Sequence, residues 1–171
     1  MVDHDKILRL RPQFTAYAYA LCGDAGDGDD LVQEAIARAL ESGKVPDTLD
    51  DMRHWMFRVI RNLYIDRQRR KKVRSEYSAS YKRLIDGEPI VEDNRLDAIL
   101  IRQAMEALSP NHREVLYLVD VMGMSYAEAA NVMSVATGTV MSRLSRARRA
   151  MVDELEGSNV RPMRARRKRK T

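Results

Sequence analysis

The sequence predicts an all-α protein made of two small helical domains joined by a flexible linker. Three observations carry that. Apolar residues recur at three- and four-residue steps, and no stretch of length alternates apolar with polar. Glycine and proline fall between the helical patterns, as at Gly23–Gly28, Gly43–Pro46 and Gly87–Pro89. The 171 residues leave room for one medium domain or two small ones.

Each element has its own signal. Asp5–Arg11 reads as a short helix, and Pro12 starts another that carries Phe14, Tyr17, Ala18 and Leu21. Gly23–Gly28 reads as a loop. Asp29 or Asp30 then caps a helix with Leu31, Ala35 and Ala39 inward and Gln33, Glu34 and Arg38 outward. Ser42–Asp51, with Gly43 and Pro46, is a second loop. From Met52 a long helix runs to about Arg74, with Trp55, Val59 and Leu63 on its inner stripe. Tyr77–Arg95 reads as a linker with a helical start near Tyr81, and it is acidic around Asp86–Asp93.

A helix over Leu96–Leu108 opens the second block. Ser109 as N-cap and Pro110 at the first helical position start the next, which carries Val115, Leu118, Val119 and Met122 and stops at Gly123. Ser125 and Glu128 form a capping box for a helix with Ala129, Val132 and Met133 on its apolar side. After a break at Ser134–Ala136, Thr137 caps the last helix. Val140, Leu144, Ala147 and Met151 form its inner face, with Gly138, Ser142, Ser145 and Arg149 opposite. Two paired helices with a tight break between them, the second one basic and outward-facing, predict a helix-turn-helix. Its small residues admit close approach, its serines and arginines can read base edges, and its other cations can hold phosphates. The domains expected are 1–75 and 96–157, with a linker over 76–95 and a basic tail over 158–171.

Charge is distributed unevenly. The net charge is +5, yet Pro12–Ala37 holds acidic residues and no Lys or Arg, while cations crowd into Arg67–Arg74, Arg143–Arg149 and Arg161–Lys170. One acidic and several basic surfaces predict a protein partner and a nucleic acid engaged together. Cys22 stands alone, and His4, His54 and His112 show no ligand spacing, so neither a disulfide framework nor a metal site is predicted. No apolar run is long enough to span a bilayer and no signal-peptide pattern opens the sequence, which predicts a cytoplasmic protein. No phosphate-cradling glycine loop and no Ser/His/Asp or Cys/His set is visible, so neither enzymatic activity nor a cofactor is expected.

Three motifs in order carry a family resemblance: Leu108-Ser-Pro with Arg113-Glu-Val-Leu116, then Gly123–Ala130, then Gly138–Arg148. They resemble the promoter-reading domain of bacterial sigma factors of the extracytoplasmic-function class. Asp29–Leu40 is similar to the sigma helix that grips the polymerase clamp, and Trp55–Arg70 to the helix that engages the −10 element. The resemblance covers nearly all the chain outside the linker and tail.

It implies a division of labour. Asp30, Gln33 and Glu34 would dock on the clamp of the largest subunit of core RNA polymerase, while the second block meets the flap of the second-largest. Phe57, Arg61 and Tyr64, on one side at helical spacing, would face the single-stranded −10 element, with Arg58, Asn62, Arg67, Arg69 and Arg70 as polar and cationic contacts. Trp55 reads as core rather than a base platform. In the recognition helix Ser142, Ser145 and Arg146 are the expected readers of −35 bases, and Thr139, Arg143, Arg148 and Arg149 the positioners on phosphate. Many relatives carry Lys or Arg where this chain has Met141 and a bulkier residue where it has Ser145, which puts the family's −35 base preferences in doubt here. The family also implies control by an anti-sigma factor that wraps or wedges between the two blocks and holds them in a compact, polymerase-incompetent arrangement; the apolar sides of the Trp55 helix and of Val115–Met122, where not fully buried, would offer it binding surface. Two competing readings are a stand-alone helix-turn-helix regulator, which would work as a dimer on a palindrome, and a sigma mimic that titrates an anti-sigma factor.

Overall fold

The computed structural model describes residues 4–75 and 95–159, and every described element is helical. In chain order these are α1 (His4–Cys22), α2 (Ala25–Ser42), α3 (Leu49–Ser75), α4 (Arg95–Ala107), α5 (Pro110–Leu116) running on into a π-helical turn (Tyr117–Val121), α6 (Tyr126–Met133) and α7 (Thr137–Asn159). The expected linker and tail fall almost wholly outside the described residues, including the helical start near Tyr81. The bounds that can be compared shift slightly: α4 begins at Arg95 and α7 runs on to Asn159.

In the first half α1, α2 and α3 pack mutually. Pro12 does not open a second helix; it lies inside α1. Ile7 and Leu10 before it and Phe14, Tyr17 and Leu21 after it share one buried side, which holds the segment in a single helix. The carbonyl that Pro12 leaves without a donor belongs to Leu8, whose side chain is exposed, so that edge of the helix is open to solvent. Gly23–Gly28 is not a loop either. Gly23 turns the chain at φ +71°, Asp24 caps α2 by accepting from the Asp27 N–H at 2.8 Å, and Gly26 and Gly28 are helical. Gly28 is there for space: a Cβ on it would meet the Tyr19 backbone nitrogen at 3.3 Å, so it is the point where α2 crosses α1. The inward set Leu31, Ala35 and Ala39 is fully buried as the spacing predicts.

The third helix starts three residues before Met52, with Thr48 and Asp51 bonded to each other at its N-terminus. Its buried stripe is Met52, Met56, Phe57, Ile60 and Leu63, with Trp55 and Val59 only half-buried beside it. The stripe expected through Trp55 and Val59 is therefore rotated, because α3 has neighbours on two sides.

The second half has the expected caps. Ser109 caps α5 with Pro110 in its first turn, Gly123 ends the following turn at φ +69°, and Ser125 with Glu128 forms the complete capping box of α6. Ser134 makes the break in the left-handed region at φ 53°. Thr137 is the first helical residue of α7 rather than its cap; the Ala136 carbonyl accepts the first bonds, from the N–H groups of Thr139 and Val140. No residue type announced the π-helical turn, which closes with the Met122 N–H on the Tyr117 carbonyl at 2.9 Å. The two halves pack on each other with one continuous apolar interior. Phe57 lies there among Phe14, Tyr17 and Tyr117, its ring 4.6 Å from Tyr17 and 6.3 Å from Tyr117.

Candidate nucleic-acid and protein interfaces

The recognition helix α7 presents the face its periodicity predicts. Val140, Leu144 and Ala147 are buried, Met151 is half-buried, and Ser142, Ser145, Arg146 and Arg149 are exposed. Exposed arginine is kept within reach of the serines by local bonds. Arg146 Nε donates to the Ser142 carbonyl at 3.2 Å, and Ser142 Oγ donates to the Thr139 carbonyl at 3.1 Å. Thr139 is half-buried at the start of this face. Two arginines depart from it. Arg148 is held by Asp120 through two bonds, at 2.6 and 3.0 Å, and that carboxylate pushes the guanidinium further above its already high range. Arg143 is half-buried, its Nη1 enclosed without a hydrogen-bond partner among the described residues, and its charge bears on the buried Glu114.

On α3 the expected −10 set is divided. Phe57 is a correction: with 0% exposure it is a core residue, and no base can stack on a face already covered by Tyr17 and Tyr117. Phe57, Arg61 and Tyr64 do share a stripe, but that stripe borders the interior. Arg61 Nε donates to Glu114 of α5 at 2.8 Å, and only 12% of its side chain is exposed. Arg58 is exposed and donates to Asn131 of α6 at 3.2 Å. Tyr64 is half-buried, and burial pushes its hydroxyl above the usual phenol range. Asn62, Arg69 and Arg70 are exposed. Tyr64, Arg67, Arg70 and Lys71 line a hollow beside Cys22 and Asp27, and burial raises the Cys22 thiol to about 11, so it stays protonated at neutral pH.

The acidic set on α2 is likewise split. Asp30 and Gln33 are exposed. Glu34 is half-buried and lies between two cations, Arg67 at 2.6 Å and Arg38 at 2.7 Å. The hydrogen bond from Arg67 holds its carboxyl below the usual range. An expected polymerase contact and an expected −10 contact thus neutralise each other across α2 and α3.

Sequence reasoning missed the charged groups between the halves. Glu114 accepts from Tyr17 Oη and Arg61 Nε, both at 2.8 Å, and is only 2% exposed. Its neighbour Arg113 donates to the Ala20 carbonyl at 2.7 Å and the Leu108 carbonyl at 2.7 Å, with a longer contact to Leu21. Gly23 makes room for this guanidinium: a Cβ there would sit 3.1 Å from Nη2. Tyr117 Oη donates to the Gln13 carbonyl at 3.0 Å, and Tyr19 to Glu106. The available signal was an Arg–Glu pair set directly against the apolar run Val115–Val119. Among the described residues no group of His, Cys, Asp and Glu could hold a metal ion, and no helix is long and apolar enough to cross a membrane.

Comparison with known proteins follows the same division into halves. A family model for sigma-70 region 2 matches residues 7–74, and one for sigma-70 region 4 matches residues 98–151. The chain is 34% identical over 145 residues to the extracytoplasmic-function RNA polymerase sigma factor EcfG of Rhodopseudomonas palustris, covering 84% of this chain and 80% of that protein. It is 36% identical over 138 residues to sigma factor SigL of Mycobacterium tuberculosis, covering 79% and 78% respectively. Among solved structures, the sigma factor RpoE of Bartonella quintana, crystallised with the anti-sigma factor NepR, superposes with a TM-score of 0.76 at 26% identity, covering 90% of this chain and 96% of that one.

Proposed function

The chain belongs to the sigma-70 family, in its extracytoplasmic-function class, and from that premise we propose that it binds core RNA polymerase and directs promoter-specific initiation under the control of an anti-sigma factor. The observation that carries this is the placement of opposite charges. Asp30 and Gln33 stand exposed on α2 for a basic protein partner, while Ser142, Ser145, Arg146 and Arg149 stand exposed on α7 for a duplex groove. In this reading residues 1–75 serve the clamp and the −10 element, and residues 96–157 the −35 element and the flap. On α3 the −10 contacts are Arg58, Arg61, Asn62, Tyr64, Arg67, Arg69 and Arg70, without Phe57. The chain performs no chemistry itself; phosphoryl transfer belongs to the polymerase, and the site of action is the nucleoid in the cytoplasm.

An apolar groove between α1 and α4, lined by Leu8, Tyr19, Ile101 and Met105, supports the anti-sigma part of the reading. Leu8 and Ile101 are 62% and 50% exposed there; of the surfaces expected for that partner, Val115 and Leu118 are buried, Trp55 and Val59 are half-buried, and Val121 stays exposed. The test is capture of core polymerase by the full chain together with run-off transcription from promoters mapped by sequencing transcripts after overexpression. Promoter-dependent transcripts made only with the chain present are expected. Duplex binding by a free dimer with no polymerase capture overturns the reading.

A further inference from the structure

The outward face of α7 is chemically uneven across its width. Arg146 bounds one edge, Gly138, Ser142, Ser145 and Arg149 fill the middle, and Met141 bounds the other edge, all of them exposed. Met141 is 54% exposed and lies outside the apolar interior, so it forgoes the burial that Val140 and Leu144 obtain on the other side of the helix. Its neighbours along the helix surface are small. Gly138, three residues before, has nothing within 4 Å of where a Cβ would stand, and Ser145, four residues after, carries a short side chain. Side chains on a helix lean toward its N-terminus, so Met141 stands over the bare turn at Gly138, at the end of α7 that reaches bases in a groove. Val152 shares this edge but lies three turns further along, away from that end.

What such a group can meet follows from the chemistry of the duplex. Donors and acceptors line the major groove at every base pair, and a thioether offers them almost nothing. An A·T pair alone adds an apolar group, the 5-methyl of thymine. Methionine suits a lone methyl, since its three rotatable bonds and polarisable sulfur let it reach contact without moving the helix. A phosphate, the other surface within reach, gains nothing from an uncharged apolar side chain.

Resting on the assignment of α7 to the −35 element, we infer that Met141 is a specificity-determining residue, which selects an A·T pair there by burying the 5-methyl group of its thymine. Selection is by apolar contact and not by hydrogen bonding. It falls on a base pair other than the one Arg146 addresses from the opposite edge of the same face.

Holoenzyme assembled from core polymerase and the full-length chain tests this. Equilibrium binding is measured on duplex promoters in which uracil replaces thymine at one −35 position at a time, on either strand. Uracil keeps the hydrogen-bonding edge and lacks only the methyl. Expected is a position at which uracil weakens wild-type binding about fourfold, the worth of one buried methyl group. For Met141→Ala the same replacement should cost less than about twofold, and Met141→Leu should restore the penalty. Alanine and leucine are both strong helix formers and the site is exposed, so the variants keep the fold. The absence of any uracil-sensitive position, or a penalty of the same size in wild type and Met141→Ala, overturns the assignment. So does a −35 element without an A·T pair. Failure of the function reading is seen separately, as a wild-type chain that captures no core polymerase, and takes the assignment with it.

Discussion

The two helices assigned to DNA, α3 and α7, carry similar chemistry and meet opposite fates. On α7 the apolar stripe is buried and the stripe of serine and arginine behind it faces solvent. On α3 the aromatic and basic stripe Phe57, Arg61, Tyr64 is itself drawn toward the interior, one member buried, one ion-paired and one half-covered. The reading end of α7 rests on partners along one side only, so periodicity tells inside from outside. The third helix is met by α1 and α2 on one side and by α5 and α6 on another, and a helix packed on two sides has no single inner face to display.

The sharpest way to break that contrast is Phe57→Ala. A core phenyl lost from among Phe14, Tyr17 and Tyr117 should cost about 3–5 kcal/mol in urea unfolding; a stability change within noise, with strand binding lost, would return Phe57 to the DNA. Next is Arg146→Ala on the open helix, where promoter binding in the holoenzyme should weaken by about 1–3 kcal/mol with relaxed preference at one −35 base pair. A loss equal for every sequence would make Arg146 a phosphate contact instead. Ser125→Ala removes the cap that aims α6, and through it α7, and should lower thermal stability by about 1 kcal/mol without moving any −35 preference.

Arg67→Ala should change folding stability by less than about 1 kcal/mol, because its pair with Glu34 is one-third exposed. If Arg67 also reaches the promoter, binding falls across sequences and the salt slope becomes shallower, which a salt titration reads directly.

The smallest effect is a difference in pH dependence between two carboxylates. Glu34 is held below the usual range by Arg67, so its contribution is complete above the ordinary carboxylate value and is lost as pH falls through the lowered one. Glu114 is raised by burial, so the folded chain keeps its proton longer than the unfolded chain. Its contribution is complete below the ordinary value and declines as pH rises through the raised one. In acid titrations of unfolding, Glu34→Gln and Glu114→Gln should therefore alter the slope in opposite senses; changes of the same sign would contradict the assigned environments.

How much was legible follows from where each partner lies in sequence. The cap of α5 is Ser109 acting on the His112 N–H, and the capping box of α6 is Ser125 with Glu128, all within three residues. The inner face of α7 needs only the spacing of Val140, Leu144 and Ala147. The helix start at Asp24 was also local, but Gly26 and Gly28 masked it, since glycine signals a loop unless something distant needs its missing side chain. That need was the Tyr19 backbone across the α1–α2 crossing.

The sequence by itself determined the helical class, the caps and breaks of the second half, and which face of α7 looks outward, because those rest on interactions between residues three and four apart. Only the tertiary structure decided that α1 passes unbroken through Pro12, that Phe57 is core, and that Glu114 meets Tyr17 and Arg61. Those partners are 97 and 53 residues away, and no local preference encodes which of two polar faces a distant helix will cover.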